Sequence, residues 1–321
     1  MERWTAWPRM SGPDEFEQIA RLYRPLTKGA PEALDLLDDV AILPSRPGME
    51  LVITKDAIVE GVHFLPGTAP DLIARKLVRV NLSDLAAKAA EPFGYLLAAS
   101  WPASFDWPQR QAFAEGLRQD GETFDLVLLG GDTTSTPGPL TLSMTLLGWA
   151  PAGRTVRRSG ARPGDLVMVS GAIGDGTLGL AAARGELADP GGVLAARYGL
   201  PTPRLDLRQA LRAGASAACD VSDGLVADVG HIARASGVGF VIDLASMPLS
   251  AQAGAWLQAQ PDRAAGLVRL ATGGDDYEVA CTGARPLPGF TVIGSVTSEA
   301  GLAVSVGGAP VDAGPGGWRH V

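Results

Sequence analysis

The chain has 321 residues, of which 46% are hydrophobic, so it is long and apolar enough for two domains of ordinary size. Its net charge of -8 disfavours non-specific binding to nucleic acids and to anionic membranes. No run approaches the roughly 18 uninterrupted apolar residues of a membrane span, and the N-terminus lacks the apolar segment of a signal peptide. We therefore expect no membrane partner and a cytoplasmic setting.

The first half of the chain mixes helical and strand-like patterns after a loose leader at residues 1–13. Apolar spacing predicts helices at residues 14–24, 69–90 and 109–123, the second of them bent or interrupted near residues 81–83. Alternating or continuous apolar runs predict strands at residues 40–43, 50–54, 94–101, 125–129 and 140–150.

The second half begins after a segment rich in Pro, Gly and Arg at residues 151–164, which resembles a domain linker. We therefore divide the chain into domains at residues 1–151 and 152–321. In the second domain we predict helices ending near residue 183 and spanning residues 205–214 and 224–236. Strands are predicted at residues 166–170, 217–220, 240–244, 277–282, 291–296 and 302–306. This mixture indicates the α+β class.

The two cysteines, Cys219 and Cys281, each lie within an apolar, strand-like run. Their isolation matches neither a zinc motif nor a disulfide framework. We predict that both are small buried hydrophobic residues.

Seven aspartates occupy short, turn-like settings, and most of them follow an apolar run. Two carboxylates about 4 Å apart repel by roughly 4 kcal/mol at an effective dielectric constant of 20. Mg²⁺ would relieve such repulsion, because it binds carboxylate oxygens and brings substrate phosphates with it. If these residues meet in space, they form a magnesium–nucleotide site. They are Asp38, Asp39, Asp56, Asp84, Asp132, Asp220 and Asp223.

The strongest local motif runs from Asp220 to Gly224, directly before a predicted helix. The start of a helix offers free N–H groups to phosphate, and the two aspartates of the motif could hold a bridging metal. The alternative is that Ser222 or Asp223 only caps the helix.

Three other motifs carry weaker signals. In the sequence Gly-Gly-Asp-Thr-Thr at residues 130–134, two glycines after a strand allow close approach of a ligand, although a hairpin turn has the same composition. Asn-Leu-Ser-Asp at residues 81–84 places cap-forming residues inside a helical pattern. The acidic turn at residues 273–278 could bind a cationic or hydrogen-bonding part of a substrate.

The sequence contains no P-loop, and the glycines at residues 171–176 do not have the spacing of a dinucleotide-binding loop.

Taken in order, these motifs resemble the thiamine-monophosphate kinase family, in the superfamily of aminoimidazole ribonucleotide synthetase and selenophosphate synthetase. The resemblance extends from Asp14 to His320. The matching strings are DEFEQIARL, LDDVAIL, ITKDAIVEGVHF, NLSDLAAKAAEP, LLGGDTT, RRSGARPGD, CDVSDGLVADVGHIARASG, LATGGDDYEV and GGWRH.

The resemblance implies a two-domain, synthetase-type fold. An N-terminal α/β domain would form a barrel-like core with a second copy of the chain, and a larger α+β domain would follow. The implied reaction transfers the γ-phosphoryl group of ATP to thiamine monophosphate. Its co-substrate is ATP, and several Mg²⁺ ions assist.

The resemblance also assigns roles to individual residues. Catalysis would depend on Asp132, Asp84 and Asp223. ATP would contact Gly131, Asp132, Arg158 and Ser222, and thiamine monophosphate would contact His63, Asp275 and Trp318. The implied metal ligands are Asp39, Thr54, Asp56, Asp84, Asp132, Asp220 and Asp223.

Three residues depart from the family pattern. Leu37 replaces a glycine before the paired aspartates. Lys55 occupies the position of a further metal ligand, where the family often has a hydroxyl residue, so its ammonium group would replace part of one ion's charge. Asp275 replaces a glutamate and is one methylene shorter.

Two alternatives stay open on the sequence. One is a related ATP-dependent enzyme of the superfamily that acts on another small substrate. The other is a catalytically silent nucleotide-binding dimer, which only Lys55 favours.

Overall fold

The computed structural model describes residues 13–314 and 316–318 and has the predicted α+β architecture, with two sheets. The chain forms two compact units. The first contains the described residues up to Ser45, together with Lys55–Val78 and Phe93–Leu147; the second contains Arg46–Thr54, Arg79–Pro92 and the remainder from Gly148. The predicted leader at residues 1–13 lies outside the described residues except for Pro13.

From Pro13 onward, the described part of the first half forms four strands and three α-helices. Helix α3 has a complete capping box, in which Asp106 accepts from the N–H of Gln109 and the Gln109 side chain accepts from the N–H of Asp106. The elements are α1 (Glu15–Gln18), a π-helical turn (Ile19–Tyr23), 3₁₀ turns (Arg24–Thr27 and Pro31–Leu36), β1 (Met49–Val59), α2 (Pro70–Ala87), β2 (Glu91–Pro102), α3 (Trp107–Thr123), β3 (Val127–Thr136) and β4 (Thr141–Pro151).

These four strands form an open sheet in the order β1-β4-β2-β3, so β1 and β3 are its edges. Strands β2 and β3 are parallel, and their register shifts between Tyr95 and Leu96. The shift pairs Leu97 with Gly131 and Ala98 with Asp132. The glycine pair predicted to follow a strand therefore lies inside one.

The described residues of the second half form a seven-stranded mixed sheet in the order β11-β10-β7-β9-β5-β8-β6. Its core includes the buried face of α7, where Leu225, Val229 and Ile232 are fully buried. The elements are β5 (Leu166–Ser170), α4 (Asp175–Ala183), α5 (Val193–Gly199), a 3₁₀ turn (Leu205–Leu207), α6 (Arg208–Gly214), β6 (Ala217–Val221), α7 (Leu225–Ser236), β7 (Gly239–Asp243), a 3₁₀ turn (Leu244–Ser246), α8 (Ala251–Gln258), α9 (Arg263–Thr272), β8 (Glu278–Gly283), β9 (Phe290–Thr297), β10 (Gly301–Val306) and β11 (Ala309–Pro310).

Three local predictions were wrong. Residues 40–43 form no strand and lie in an irregular segment, where the amide N–H of Ile42 donates to the carbonyl of Glu32. Helix α2 is unbroken through residues 81–83, because Asn81 and Ser83 are fully buried and interact inside the protein. The strand predicted to end at residue 129 continues as β3 to Thr136.

Other predictions differ in extent. The helix predicted at residues 14–24 is divided into α1, a π-helical turn and the start of a 3₁₀ turn, and helices α5, α8 and α9 were not predicted. Both cysteines are buried as expected, and burial raises the pKa of each thiol. Among the described residues, no helix is both long enough and apolar enough to cross a bilayer.

Candidate functional site

Hydrogen bonds gather three of the predicted metal ligands in the second unit. The hydroxyl of Thr54 donates to Oδ2 of Asp84, at the end of the β1 segment that belongs to this unit. The next residue back, Ser83, donates its hydroxyl to Oδ2 of Asp220 over 3.0 Å in a buried setting. Residues from β1, α2 and β6 thus form one cluster of hydroxyl and carboxylate oxygens.

A lysine that the sequence analysis did not select lies beside this cluster. The ammonium group of Lys88 donates to the carbonyl of Ala218 over 2.7 Å. Burial lowers the pKa of Lys88, while Cys219, Asp220 and Asp84 act in the opposite direction. The terminal nitrogen of Lys88 is thus held next to two predicted metal ligands.

The turn between β6 and α7 is held by a carboxylate from the helix itself. Oδ2 of Asp228 accepts from the N–H groups of Ser222 and Asp223, both at 3.1 Å, and of Gly224, at 3.2 Å. The N–H groups of these three residues before α7 are therefore bound to Asp228, and inside the first turn of the helix the N–H of Ala227 donates to the carbonyl of Gly316 over 3.0 Å. These bonds hold the backbone of Ser222 and Asp223 in one conformation.

The charges around this turn are closely coupled. Burial, and then the Asp223 carboxylate, raise the pKa of Asp228 to about 7. Asp223, Asp228 and His231 each offer a ligand atom, and these atoms lie within 4.8 Å of one another. The Arg158 guanidinium makes a smaller contribution that lowers the pKa of both Asp228 and His231, so this exposed arginine lies near the same turn.

Two predicted substrate residues are attached to this turn through the backbone. The N–H of Asp275 donates to the carbonyl of Ser222 over 2.9 Å, and the N–H of Trp318 donates to the carbonyl of Asp223 over 3.0 Å. A Cβ on Gly274 would lie 2.4 Å from the carbonyl oxygen of Ser222, so only glycine permits this approach. Trp318 is 60% exposed, so a ligand can reach its ring from solvent.

The first unit contains a pocket of about 310 Å³ with a mixed lining. Its apolar wall includes Leu96 and Leu128, and its polar residues include Asp39, Gly131 and Asp132. A Cβ on Gly131 would lie 2.0 Å from the carbonyl oxygen of Leu97, which explains the glycine in the strand. The pocket suits a ligand that combines a planar apolar part with a charged or metal-bound part.

The remaining predicted residues of the first unit lie on or after β1. Asp56 is half-buried, and its carbonyl accepts from the hydroxyl of Ser143 over 3.2 Å. Lys55 is exposed, and strand alternation points its side chain away from the face of Asp56. This placement gives no support to a Lys55 ammonium group that replaces metal charge. In the turn after the strand, Nδ1 of His63 accepts from the N–H of Val59 over 3.1 Å.

Four residues joined the candidate site only in the structure: Ser83, Lys88, Asp228 and Tyr277. Ser83 was noted as part of a motif, and Tyr277 directly follows the paired acids of the acidic turn. Asp228 lies in the first turn of α7. An acidic residue shortly after a Ser-Asp-Gly sequence can be predicted to accept hydrogen bonds from the backbone of that turn. Lys88 lies four positions after Asp84, but the acceptor of its ammonium group, the carbonyl of Ala218, is 130 positions away, so the sequence analysis did not select it.

Comparisons with known proteins identify the family of the chain. The model of the AIR synthase related protein N-terminal domain matches residues 37–150, and that of the AIR synthase related protein C-terminal domain matches residues 162–307. The thiamine-monophosphate kinase of Caulobacter vibrioides is 60% identical over 276 residues, which cover 86% of this chain and 78% of the relative.

Two solved structures are also similar. The thiamine-monophosphate kinase of Stenotrophomonas maltophilia K279a superposes with a TM-score of 0.78 at 37% identity, covering 92% of this chain and 98% of that one. The complex of AaThiL with AMPPCP and TMP superposes with a TM-score of 0.75 at 30% identity, covering 83% and 88% of the two chains.

Proposed function

The chain belongs to the AIR synthase related family and to the thiamine-monophosphate kinases within it, and we propose that it transfers the γ-phosphoryl group of ATP in line to the phosphate of thiamine monophosphate. The products would be thiamine diphosphate and ADP. Its relatives carry the name of this activity, and one structural relative binds AMPPCP, a non-hydrolysable ATP analogue, together with TMP.

One observation supports the proposal more than any other. The backbone bonds from Asp275 to Ser222 and from Trp318 to Asp223 attach two of the three proposed acceptor residues to the proposed nucleotide and metal residues. A phosphoryl-transfer enzyme needs this property, because its rate depends on holding donor and acceptor in a fixed relation.

The residues present fit Mg²⁺. In the second unit, the Thr54 hydroxyl and the carboxylates of Asp84 and Asp220 are hard oxygen donors, and Asp223 supplies a further carboxylate three positions after Asp220. We assign these four residues as metal ligands, together with Asp39, Asp56 and Asp132 of the first unit. When bound, Mg²⁺ would neutralise phosphate charge as it develops during transfer.

The protein groups then bind and orient the substrates. A phosphate acceptor is already a nucleophile at neutral pH, so transfer needs no strong general base. We propose that Gly131 and Asp132 bind ATP in the pocket of the first unit, and that Arg158 and Ser222 contact its phosphates. His63, Asp275 and Trp318 would hold thiamine monophosphate, whose cationic thiazolium ring favours an aromatic face and a nearby carboxylate.

We also propose that the enzyme is a cytoplasmic homodimer. The edge strand β1 exposes Leu51 and Ile53, which are 37% and 58% accessible and lie on the same face. An apolar face on an open edge strand is a suitable surface for a second copy. Two such sheets would form the barrel-like core that the family resemblance implies.

Incubation of the purified protein with ATP, Mg²⁺ and thiamine monophosphate tests the activity. We expect thiamine diphosphate to form and expect thiamine alone, pyridoxal phosphate and adenosine monophosphate to give no product. Turnover of another acceptor in preference to thiamine monophosphate would reject the proposed substrate.

The stereochemistry of transfer tests the in-line step separately. The enzyme would be supplied with an ATP analogue whose γ-phosphorus is chiral, because it carries one sulfur atom and two different oxygen isotopes. Direct transfer inverts the configuration at phosphorus, and we expect inversion in the thiamine diphosphate analogue. Retention would indicate two transfers through an enzyme-bound intermediate and would contradict the direct mechanism.

A further inference from the structure

The turn at residues 273–277 has a strained backbone at two positions. Asp275 has φ of 67° and Tyr277 has φ of 51°, which places both in the left-handed region. Residues other than glycine seldom adopt this conformation, because their Cβ approaches the backbone too closely. Such strain persists only where surrounding contacts determine the conformation, and it is concentrated at functional sites.

Asp276 lies between the two strained residues, and its buried side chain fixes the turn to the interior of the protein. Its side chain is fully buried and accepts from the N–H of Gly174 through both oxygens, at 3.0 and 2.9 Å, and from the N–H of Gly176 at 2.9 Å. On either side of it, the N–H groups of Asp275 and Tyr277 donate to the carbonyls of Ser222 and Val221. Three consecutive residues are therefore anchored.

A second buried acid strengthens this anchor. Both oxygens of Glu278 are bound: Arg204 contacts each of them, Ser170 donates over 2.6 Å and Arg197 over 2.7 Å. Arg197 also donates to the carbonyl of Asp276 over 2.9 Å. A buried carboxylate is stable only while its charge is balanced, and removing either guanidinium group would leave that charge uncompensated. The contacts of Glu278 with Arg197 and Arg204 therefore hold the end of the turn in one position.

The consequence of this backbone is a contact between two side chains. The hydroxyl of Tyr277 donates to Oδ1 of Asp275 over 3.2 Å. In a regular strand, the side chains of residues two apart point in the same direction and stay separate. Here the backbone of Asp275 and Tyr277 is in the left-handed region, and their side chains meet. The same carboxylate acts electrostatically on Tyr198, which is buried in α5. Burial, and then the charge of Asp275, raise the pKa of Tyr198 to about 12.

We propose that Tyr277 is a positioning residue that holds the Asp275 carboxylate ready to receive the cationic part of the phosphate acceptor, on a turn fixed by Asp276 and Glu278. The inference rests on the proposed function. A carboxylate attached through one methylene has few conformers, and the Tyr277 hydroxyl restricts them further. Binding the acceptor then requires little additional ordering.

The variant Tyr277→Phe removes the hydroxyl and keeps the ring that packs in the turn. A hydrogen bond to a charged group is worth roughly one order of magnitude in affinity. We therefore expect the KM for thiamine monophosphate to rise about three- to tenfold, while the KM for ATP and kcat change less than about twofold. Tyr95→Phe, which removes a hydroxyl from a buried residue of β2, is the matched control and should leave both KM values unchanged.

A thermodynamic cycle with Asp275→Asn and the double variant separates positioning from general loss of structure. We expect the effect of Tyr277→Phe on the KM for thiamine monophosphate to disappear when Asp275→Asn is already present, because no carboxylate is left to orient. Equal effects with and without Asp275→Asn, an equal rise in the KM for ATP, or no change in either KM would overturn the inference. If the wild-type protein does not phosphorylate thiamine monophosphate, the proposed function fails instead.

Discussion

The amide N–H of Asp275 donates to the carbonyl oxygen of Ser222 over 2.9 Å and ties together two sequence motifs that are 53 positions apart (275 minus 222). This bond connects the turn at residues 273–277, which we propose binds the phosphate acceptor, with the turn at residues 220–224, which we propose binds ATP and metal. Both residues belong to the second compact unit. The distance between the two groups of residues is thus set by the backbone.

Replacement of Asp132 by Asn should reduce kcat at least about 100-fold and leave the fold intact. The residue is exposed at the pocket of the first unit, so the change removes a ligand charge and little packing. The melting temperature without ligands should shift by less than about 2 °C, because surface substitutions change stability little. Turnover assays and thermal unfolding measure the two effects.

The matched control is Asp125→Asn, which neutralises a fully exposed carboxylate in the same unit and keeps a residue that tolerates its left-handed backbone. It should retain wild-type activity. A large fall in melting temperature for Asp132→Asn would contradict the assignment of Asp132 to ligand binding.

Replacement of Asp228 by Ala should destabilise the protein by about 2–3 kcal/mol, because three N–H groups of the turn lose their acceptor. Asp228→Asn keeps one carbonyl oxygen in that place and should cost less than about 1 kcal/mol. Urea unfolding of both variants gives the comparison. Equal destabilisation by Ala and Asn would show that the carboxylate charge, rather than the acceptor oxygen, holds the turn.

The pH dependence of stability should change in Asp276→Asn. Burial raises the pKa of Asp276 to about 8 in the folded protein, while the unfolded pKa stays near the ordinary value of about 3.9. Between these values the folded state binds more protons, so this residue's contribution to stability is complete below the unfolded pKa and is lost as the pH rises towards 8.

The wild-type protein should therefore lose stability relative to Asp276→Asn between about pH 5 and 8, by up to about 1.4 kcal/mol per pH unit. Urea unfolding at several pH values, without nucleotide, measures the difference. Parallel curves for the two proteins would mean that Asp276 is ionised throughout this range.

Replacement of Lys88 by Met should increase the response of the protein to Mg²⁺. Lys88 lies near Asp84 and Asp220, so its removal leaves their charge less balanced. The rise in melting temperature on addition of Mg²⁺ should be larger in the variant than in the wild type, since the ion then relieves more repulsion. Ca²⁺ and K⁺ at equal ionic strength serve as controls. A smaller rise would indicate that Lys88 takes part in forming the metal site.

Local patterns predicted most of the second sheet and the helix after Asp220, because each strand is a continuous apolar run that ends at a turn residue. The same reasoning failed at Ser83. This residue favours caps in an isolated helix, but in the folded chain its hydroxyl reaches Asp220, 137 positions away. The glycines at 130 and 131 were likewise placed after the end of a strand, although parallel pairing with β2 extends the strand through them.

The candidate site shows the same limit. Sequence motifs identified Asp220, Ser222 and Asp223, but they could not show that the N–H groups of this turn are already bound to Asp228. The charge of Lys88 and the contact between Tyr277 and Asp275 also depend on tertiary structure and on an unusual backbone. Residue types can thus be selected from sequence, whereas the partners that orient them cannot.

The most direct test of the account is the balance of products in one reaction, measured by phosphorus NMR with ATP, Mg²⁺ and thiamine monophosphate. We expect one thiamine diphosphate for each ADP, and no phosphate release when the acceptor is left out. Release of inorganic phosphate without thiamine diphosphate, or the absence of any ATP turnover at saturating substrates, would contradict direct transfer between the two phosphates.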